Sequence, residues 1–378
     1  METHPDTDVL IVGGGPAGLA AAMAARHKGF RVLVADCARP PIDKACGEGL
    51  MPDGVAALRQ LGFGLDAAAA VPFRGIRFRE RGISVEAAFP EGPGMGIRRT
   101  ALHRAMAAAA ERAGIALAWG ARVSGLAAGS AWIGNQRVTA RWIVGADGGN
   151  SRIRTWAGLP HRARETRRFG FRRHYRITPW TNHMELYWGR DAQIYVTAVG
   201  AEEVCVVVVS RDSRLRVEQA LGEFPELQAR LSGAAATSTE LGAVTASRRL
   251  ARVTRGRIAL IGDASGSVDA ITGEGLCLAF QQALALARAL EQEDLAIYEA
   301  AHRRLMRRPS VMSSLLLALD GRPWLRRPVL RAFQAQPRWF ETLLALHVGA
   351  RPAFDFAHPG RERLRHALSA RPPLMRRS

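Results

Sequence analysis

Short β-branched apolar runs alternate with alanine-rich stretches along the first part of the chain. Asp8-Val-Leu-Ile-Val12 is such a run, suited to a parallel strand buried on both faces. Glycines follow at once. Leu19 to Lys28 then reads as a helix ended by Gly29, and Arg31-Val-Leu-Val-Ala35 reads as a second strand. Strand, turn, helix and strand within about 30 residues make one βαβ unit. From Val71 to Met95 the pattern changes to Gly, Pro and alternating apolar positions, as antiparallel strands require, and Thr100 to Ala113 returns to a helix closed by Gly114. Arg141-Trp-Ile-Val-Gly-Ala-Asp147 and Arg257-Ile-Ala-Leu-Ile-Gly-Asp263 are further buried strands, each running into glycines. Between them, Phe169–Ile177, Met184–Trp188, Gln193–Val199 and Val204–Ser210 read as strands of a second sheet. Gly275 to Leu290 is a long helix. The tail beyond Ala300 is helical in character, with interruptions expected at Pro309, Pro323, Pro328 and Pro337.

The chain thus leaves its parallel sheet twice and returns twice. The expected architecture is α/β: a Rossmann-like nucleotide-binding domain from residues 1–70, 97–165 and 250–305, with an inserted antiparallel β-sheet substrate domain from 71–96 and 166–249. A basic helical C-terminal region spans 306–378.

Composition adds two constraints. With 378 residues, 48% of them hydrophobic, the chain can bury a large core. The formal net charge is +19, carried almost entirely by arginine, and from His302 onward 16 Arg face only four acids. No nucleic-acid recognition motif accompanies that charge, so it reads as a solvated surface or as peripheral attraction to an acidic membrane. Met1 to Asp8 has no apolar core for a secretory signal, and no apolar run reaches the ~18 residues of a membrane span. Four scattered cysteines form no CxxC pair and no zinc pattern, which points to a reduced cytoplasmic protein without a metal site.

The chemistry is concentrated in three glycine-rich segments. Gly13, Gly15 and Gly18, with Pro16 and Ala17 between them, have G-x-G-x-x-G spacing. The first glycine permits the tight turn, the second lets a pyrophosphate approach the backbone, and the third lets helix and strand pack closely. The helix N-terminus offers unpaired N–H groups to the phosphates. Asp36, at the end of the second strand, can accept hydrogen bonds from ribose hydroxyls and would repel a 2′-phosphate. The second segment carries Asp147 and Gly148. The third carries Gly262 and Asp263, followed by Gly273, Glu274, Gly275 and Leu276 where a helix opens. Both put an Asp at the carboxyl end of a buried strand, where open α/β sheets bind ligands.

These three segments resemble those of the flavoprotein group that contains aromatic hydroxylases of the p-hydroxybenzoate hydroxylase type and geranylgeranyl reductases. The resemblance covers about residues 8 to 300. It implies FAD as cofactor, with the first motif and Asp36 on the ADP half, Asp147 and Gly148 serving FAD and a transient nicotinamide donor, and Gly262 and Asp263 on the ribityl chain and pyrophosphate. Arg99, in Arg99-x-x-Leu-x-x-x-Met106, matches an arginine that contacts FAD in that group, and Val123 is assigned to the same cofactor site. Asp43-Lys-Ala-Cys-Gly-Glu-Gly-Leu50 and the Thr272-Gly-Glu-Gly275 stretch are closest to the reductase branch. Where hydroxylases carry His-x-x-Pro-Pro this chain has Gly266, Asp269 and Ala270; the reductases' aromatic run ending in Phe-Pro is missing; and no Trp-x-Trp-x-Ile-Pro run of halogenases occurs.

No second glycine fingerprint is present, so NAD(P)H would dock transiently or a separate reductase would supply electrons. The sequence therefore points first to an NAD(P)H-dependent FAD monooxygenase hydroxylating an apolar aromatic or polyketide-like small molecule. The alternatives are geranylgeranyl-reductase-like reduction of isoprenoid double bonds and a non-catalytic flavoprotein adaptor at a membrane. Cys46, flanked by glycine, and Glu274, framed by two glycines, are the catalytic candidates. His174, Tyr187 and Tyr195, on the second sheet, are the substrate-contact candidates, set against the ordinary fate of strand aromatics as core. The arginines from Arg162 to Arg173 read as a solvated face, with steering of an anionic ligand as the alternative.

Overall fold

The computed structural model describes residues 5–66, 69–159, 161–162 and 167–350. Its first sheet runs in the order Thr254–Arg255, Ile258–Leu260, Gln136–Gly145, Thr7–Val12, Val32–Asp36, Ala116–Trp119. The five strands after Thr254–Arg255 are mutually parallel. Thr7–Val12 lies in the middle, and Val9, Leu10 and Ile11 are fully buried, as the unbroken apolar run requires. The helix Pro16–His27 packs on this sheet and on the long helix Gly275–Glu291 through small residues. Ala20, Ala22 and Ala25 leave room for close approach.

A second sheet of eight strands stands beside the first. Arg167–Arg176, Glu203–Ser210, Ala192–Gly200 and His183–Trp188 follow one another as antiparallel neighbours, and Gly75–Glu80 with Ile83–Ala88 extend the far edge. One pair departs from the expected antiparallel sheet: Gly75–Glu80 runs parallel to His183–Trp188. The two strands come from separate excursions of the chain, so no tight hairpin constrains their direction. Strand alternation gives this sheet two faces. Tyr175, Tyr187, Ile194, Val196, Val206 and Val208 cover one face and pack under the short helices Val217–Leu221 and Pro225–Leu231. Arg172, His174, Gln193, Tyr195 and Cys205 point the other way, toward the nucleotide domain.

Three helices close the described chain: Leu295–Asp320, Pro323–Ala335 and Pro337–His347. Pro323 and Pro337 start helices, where the missing N–H costs nothing. Pro309 and Pro328, expected as interruptions, instead lie within helices. Each loses one i→i−4 bond, and the buried side chains flanking them (Met312 and Leu316, Leu330) hold the helix through the gap. The tail from 351 lies outside the described residues. No described helix is long and apolar enough to cross a membrane.

Candidate active site

The three glycine segments meet at the carboxyl edge of the parallel sheet. Ala146 N–H donates to the Val12 carbonyl at 2.7 Å, and Ile261 N–H to Gly145 at 2.9 Å, which aligns the three strand ends. The glycines of the first motif divide their tasks as steric reasoning expects. A Cβ on Gly13, at φ +111°, would lie 2.3 Å from the Ala146 carbonyl oxygen. A Cβ on Gly18 would lie 1.8 Å from the Gly13 carbonyl oxygen. Around Gly15 there is open space, and Pro16 begins the helix directly behind it. Gly262, at φ +60°, sits against Ala17, so the third motif touches the first. Open space also lies around Gly47, Gly148 and Gly275, the last at the N-terminus of the Gly275–Glu291 helix, with the partly buried Leu276 behind it. These cradles of bare backbone suit a dinucleotide. Two buried polar atoms without partners, Arg99 Nε and Asp147 Oδ1, suit it as well.

Several side chains position these loops. Asp36 accepts from Gly14 N–H at 2.6 Å and from Ala38 N–H at 2.7 Å, so it fixes the fingerprint turn. Asp147 accepts from the N–H groups of Arg152 and Ile153 at 2.7 and 3.2 Å, which ties one of its oxygens to the start of the Arg152–Trp156 helix. Val123 opens the strand Val123–Ala127, two residues after Ala121 N–H bonds the Asp36 carbonyl. Sequence reasoning missed His103. It is fully buried, and its Nε2 bonds the Gly14 carbonyl at 2.9 Å. Burial lowers its pKa, which keeps the ring neutral. Its position one helical turn after Arg99 was the available signal.

The loop from Asp43 to Gly49 stitches the nucleotide edge to the second sheet. Lys44 pairs with Asp263 at 2.8 Å. Asp43 receives both terminal nitrogens of Arg172 at 3.0 Å. Glu48, buried and held at φ +57°, accepts from Arg99 N–H and Arg172 at 2.9 Å, and its other oxygen lies 2.6 Å from His174 Nε2. Such a left-handed conformation in a non-glycine residue costs free energy and needs this many partners to persist. Cys46 is half-buried in the same loop. Glu48 N–H points at its sulfur at 3.4 Å, and its carbonyl faces the Cys205 thiol at 3.7 Å. Glu48, His174 and Cys205 bring ligand-type atoms within 4.8 Å of one another, but Arg172 and Arg98 already supply the positive charge there.

Arg172 and its neighbour Arg168 correct the reading of the arginine run as a solvated face. Arg168 is buried, donating to Asp269 at 2.9 Å and Gln193 at 2.8 Å. Alternation along Arg167–Arg176 puts Arg168 and Arg172, four residues apart, inward, and Arg167 and Arg173 on the other face, a pattern that a run of like charges conceals. Arg164 lies outside the described residues.

Beside this loop is a narrow apolar cleft of about 40 Å³, open at its mouth, between the second sheet and the C-terminal helices. Ile76, Phe78, Met184, Leu186, Met312 and Phe340 supply much of its wall, and Ile271, Thr272 and Gly273 bring the third motif into it. The substrate-contact candidates separate here. Tyr195 lines the cleft, its hydroxyl directed to Gln193 at 3.2 Å. His174 belongs to the Glu48 knot. Tyr187 faces the opposite side of the sheet, where it packs on Phe224 and donates to Glu185, so it is a core residue and not a cleft residue. The reason is parity: Leu186 takes the cleft side, so Tyr187 cannot.

Behind the cleft wall lies a buried group that includes Glu274. Arg308 reaches Glu274 at 3.1 Å and Asp53 at 3.2 Å through the same nitrogen. One guanidinium thus serves two carboxylates. Burial pushes Glu274 up to about 8; Arg308 pulls it down and Asp53 adds to the rise. His347, a cleft residue, bonds the Thr272 carbonyl through Nε2 at 3.0 Å, and its Nδ1 stands 3.6 Å from Glu274 Oε2. Both of these facing atoms are buried without another partner. Burial, reinforced by Arg308, brings His347 down to about 4. The combination is a neutral imidazole facing a protonated carboxyl.

Residues 6–305 match the family described as FAD binding domain. A menaquinone reductase of Mycobacterium tuberculosis is 30% identical over 330 residues, covering 78% of this chain and 79% of the relative. Among solved structures, a flavoprotein/dehydrogenase from Cytophaga hutchinsonii superposes with a TM-score of 0.80 at 18% identity, over 91% of this chain and 93% of its own. A geranylgeranyl bacteriochlorophyll reductase-like protein from Thermoplasma acidophilum gives 0.72 at 20% identity, over 91% of both chains. The chain belongs to the FAD binding domain family and is an FAD-dependent oxidoreductase, an enzyme rather than an adaptor.

Proposed function

We propose that this enzyme reduces a carbon–carbon double bond in the isoprenoid part of an apolar, quinone-type lipid, with NAD(P)H or a separate reductase as electron source. The observation that carries this reading is the cleft: its walls are aliphatic and aromatic, and Tyr195 and His347 are its main polar side chains. An isoprenoid chain needs nothing more than such a surface, whereas a phenolic or polyketide-like substrate needs polar groups to orient its oxygens. The menaquinone reductase relative and the Thr272-Gly-Glu-Gly275 stretch favour the same branch, so hydroxylation, the first expectation from sequence, becomes the second reading.

Bound FAD, once reduced, would supply the hydride chemistry. The residues that would hold it are the backbone at Gly15 and Gly148, the side chains of Asp36 and Arg99, the Lys44–Asp263 pair and the helix N-terminus at Gly275. The chain's own part in the reaction is a proton. Hydride addition to one alkene carbon leaves the other needing H⁺; for His347 to supply it, Nε2–H would leave the Thr272 carbonyl and turn to the cleft while Nδ1 takes the proton of Glu274 Oε2. Glu274 acts through His347 and is a positioning and proton-storing residue. Cys46 stands where the loop passes from Lys44 to Glu48, and the reading gives it contact with the substrate or cofactor rather than a proton role.

The test is anaerobic turnover of a prenylated naphthoquinone by the flavin-reduced enzyme, read by mass spectrometry in deuterated water. A product gaining two hydrogens, one of them solvent deuterium, is expected. A product gaining oxygen only in air would overturn the reading in favour of hydroxylation.

A further inference from the structure

The three C-terminal helices have two very different faces. Met312 and Leu316 of the first, Leu330 of the second and Phe340 and Leu344 of the third are buried toward the second sheet and its cleft. On the opposite side, large apolar side chains stand in solvent: Trp324 is 74% exposed, Val311 66%, Trp339 57% and Leu315 43%. An unpartnered tryptophan on a helix is unusual on its own account, because the indole gains most when at least its ring is covered. Here two occur on successive helices that pack on one another, with two more exposed aliphatic residues on the first of the three helices.

The spacing makes these residues stripes rather than scatter. Along Leu295–Asp320, Arg304, Arg307, Val311 and Leu315 follow at helical intervals and are all exposed. Along Pro323–Ala335, Trp324, Pro328 and Arg331 do the same, and Arg338 precedes Trp339 at the start of the last helix. From Arg303 to Ala350 there are nine arginines and two acids, Asp320 and Glu341. Asp320 is used inward, by Gln193 and Arg211. Arg304, Arg307, Arg331 and Arg338 make no ion pair among the described residues. Exposed tryptophans beside unpaired arginines match a bilayer interface, where the ring sits among headgroups and the guanidinium meets lipid phosphate.

We infer that the outer face of these three helices docks on an anionic lipid bilayer. The same helices supply Met312, Leu316, Phe340 and Leu344 to the cleft, so docking would set a cleft wall next to the membrane. A lipid could then pass from the bilayer into the cleft without crossing water. Charge decides between occupants: a second copy of this chain would bring the same arginines face to face, whereas an acidic membrane neutralises them.

The experiment is co-sedimentation of the full flavin-loaded chain with vesicles of phosphatidylglycerol and phosphatidylcholine, or of phosphatidylcholine alone. Binding to the anionic vesicles, weakened by salt, is expected. Two surface variants are compared, V311S/L315S/W324S/W339S and R304Q/R307Q/R331Q/R338Q. Each is expected to bind about tenfold more weakly or worse, with flavin content unchanged. Wild-type-like binding by either variant overturns the inference. So does equal binding to pure phosphatidylcholine, or self-association of the wild type that the apolar variant abolishes without any vesicle binding. Binding lost on ending the chain after Ala350 but kept by both variants would assign the anchor to the tail and also overturn it. None of these outcomes depends on which reaction the flavin performs.

Discussion

The nucleotide edge and the cleft are built from different materials. At the edge the working parts are glycines and backbone N–H groups, with Gly13, Gly15 and Gly18 each defined by what a methyl group would strike or leave free. Around the cleft the working parts are long ionisable side chains: Arg168, Arg172, Glu48, Glu274 and Arg326 are all buried and paired. A dinucleotide brings its own negative charge and needs bare backbone and dipole ends, which cost little when empty. An apolar ligand brings no charge, so polar groups beside its site must be satisfied by one another and turned behind the wall. Removing one member there leaves a charge stranded, whereas altering the edge mostly changes what can approach.

The sharpest way to break this contrast is to remove Arg326. It is 1% exposed, holds Glu80 at 2.7 and 2.9 Å, donates to the Gly189 carbonyl at 3.0 Å and lies over the Trp188 ring. Through these bonds it ties the second C-terminal helix to the second sheet. Arg326→Ala leaves the buried Glu80 with only the more exposed Arg327, at 3.3 Å, and opens a cavity, so unfolding stability should fall by about 3 kcal/mol, measured by denaturant titration. Arg326→Met combined with Glu80→Leu removes both charges at similar volume and should recover most of that loss. If the single and double variants were equally unstable, the pair would be a packing unit rather than an electrostatic one.

At the other end, Gly18→Ala and Gly15→Ala differ by one position class and should behave differently. The first drives Cβ into the Gly13 carbonyl at 1.8 Å. It should cost about 1–3 kcal/mol through a forced backbone shift and lose flavin with it. The second adds a methyl in open space at φ −67°, an ordinary conformation for alanine. Its melting temperature as apoprotein should be unchanged while FAD affinity falls, read by flavin fluorescence. Equal thermal loss in both would mean that Gly15 is structural too.

The same contrast decides what sequence alone could reveal. The edge was legible because its rules are local: glycine at G-x-G-x-x-G spacing, a β-branched run before it and Asp36 at the next strand end. Four of the second sheet's eight strands were legible to within a residue or two, since aromatic and β-branched residues mark them, whereas Leu241–Ala246 was not. Nor were the sheet's faces. Tyr187 and Tyr195 look alike in sequence, and only register assigns one to the core and one to the cleft. The buried roles of Arg168 and Arg172 were hidden because their partners, Asp269, Asp43 and Glu48, lie about a hundred residues away or more. His347 could not be found at all from spacing. It meets Glu274 only because the last helix folds back over the third glycine motif.

That pair gives the subtlest measurement. Glu274, raised to about 8, keeps its proton in the folded state across a range where the unfolded chain has lost it. Stability linked to Glu274 therefore declines as pH rises from about 4.5 toward 8 and is flat beyond. His347, lowered to about 4, acts in the opposite direction: the unfolded chain binds a proton below about 6.5 and the folded one does not, so stability falls as pH drops. His302, lowered to about 4 by burial, adds to the acid limb. Between roughly 4.5 and 6.5 the two effects oppose each other; above 6.5 only Glu274 remains. Glu274→Gln, which mimics the protonated carboxyl beside Arg308 and Asp53, should leave stability near pH 5 unchanged and remove the decline between pH 6.5 and 8. An unaltered slope would mean that Arg308 keeps Glu274 ionised, and the proton would then have to come from another group in the cleft. In the apoprotein, loss of a protonated-carboxyl infrared band in Glu274→Gln checks the same assignment without any turnover.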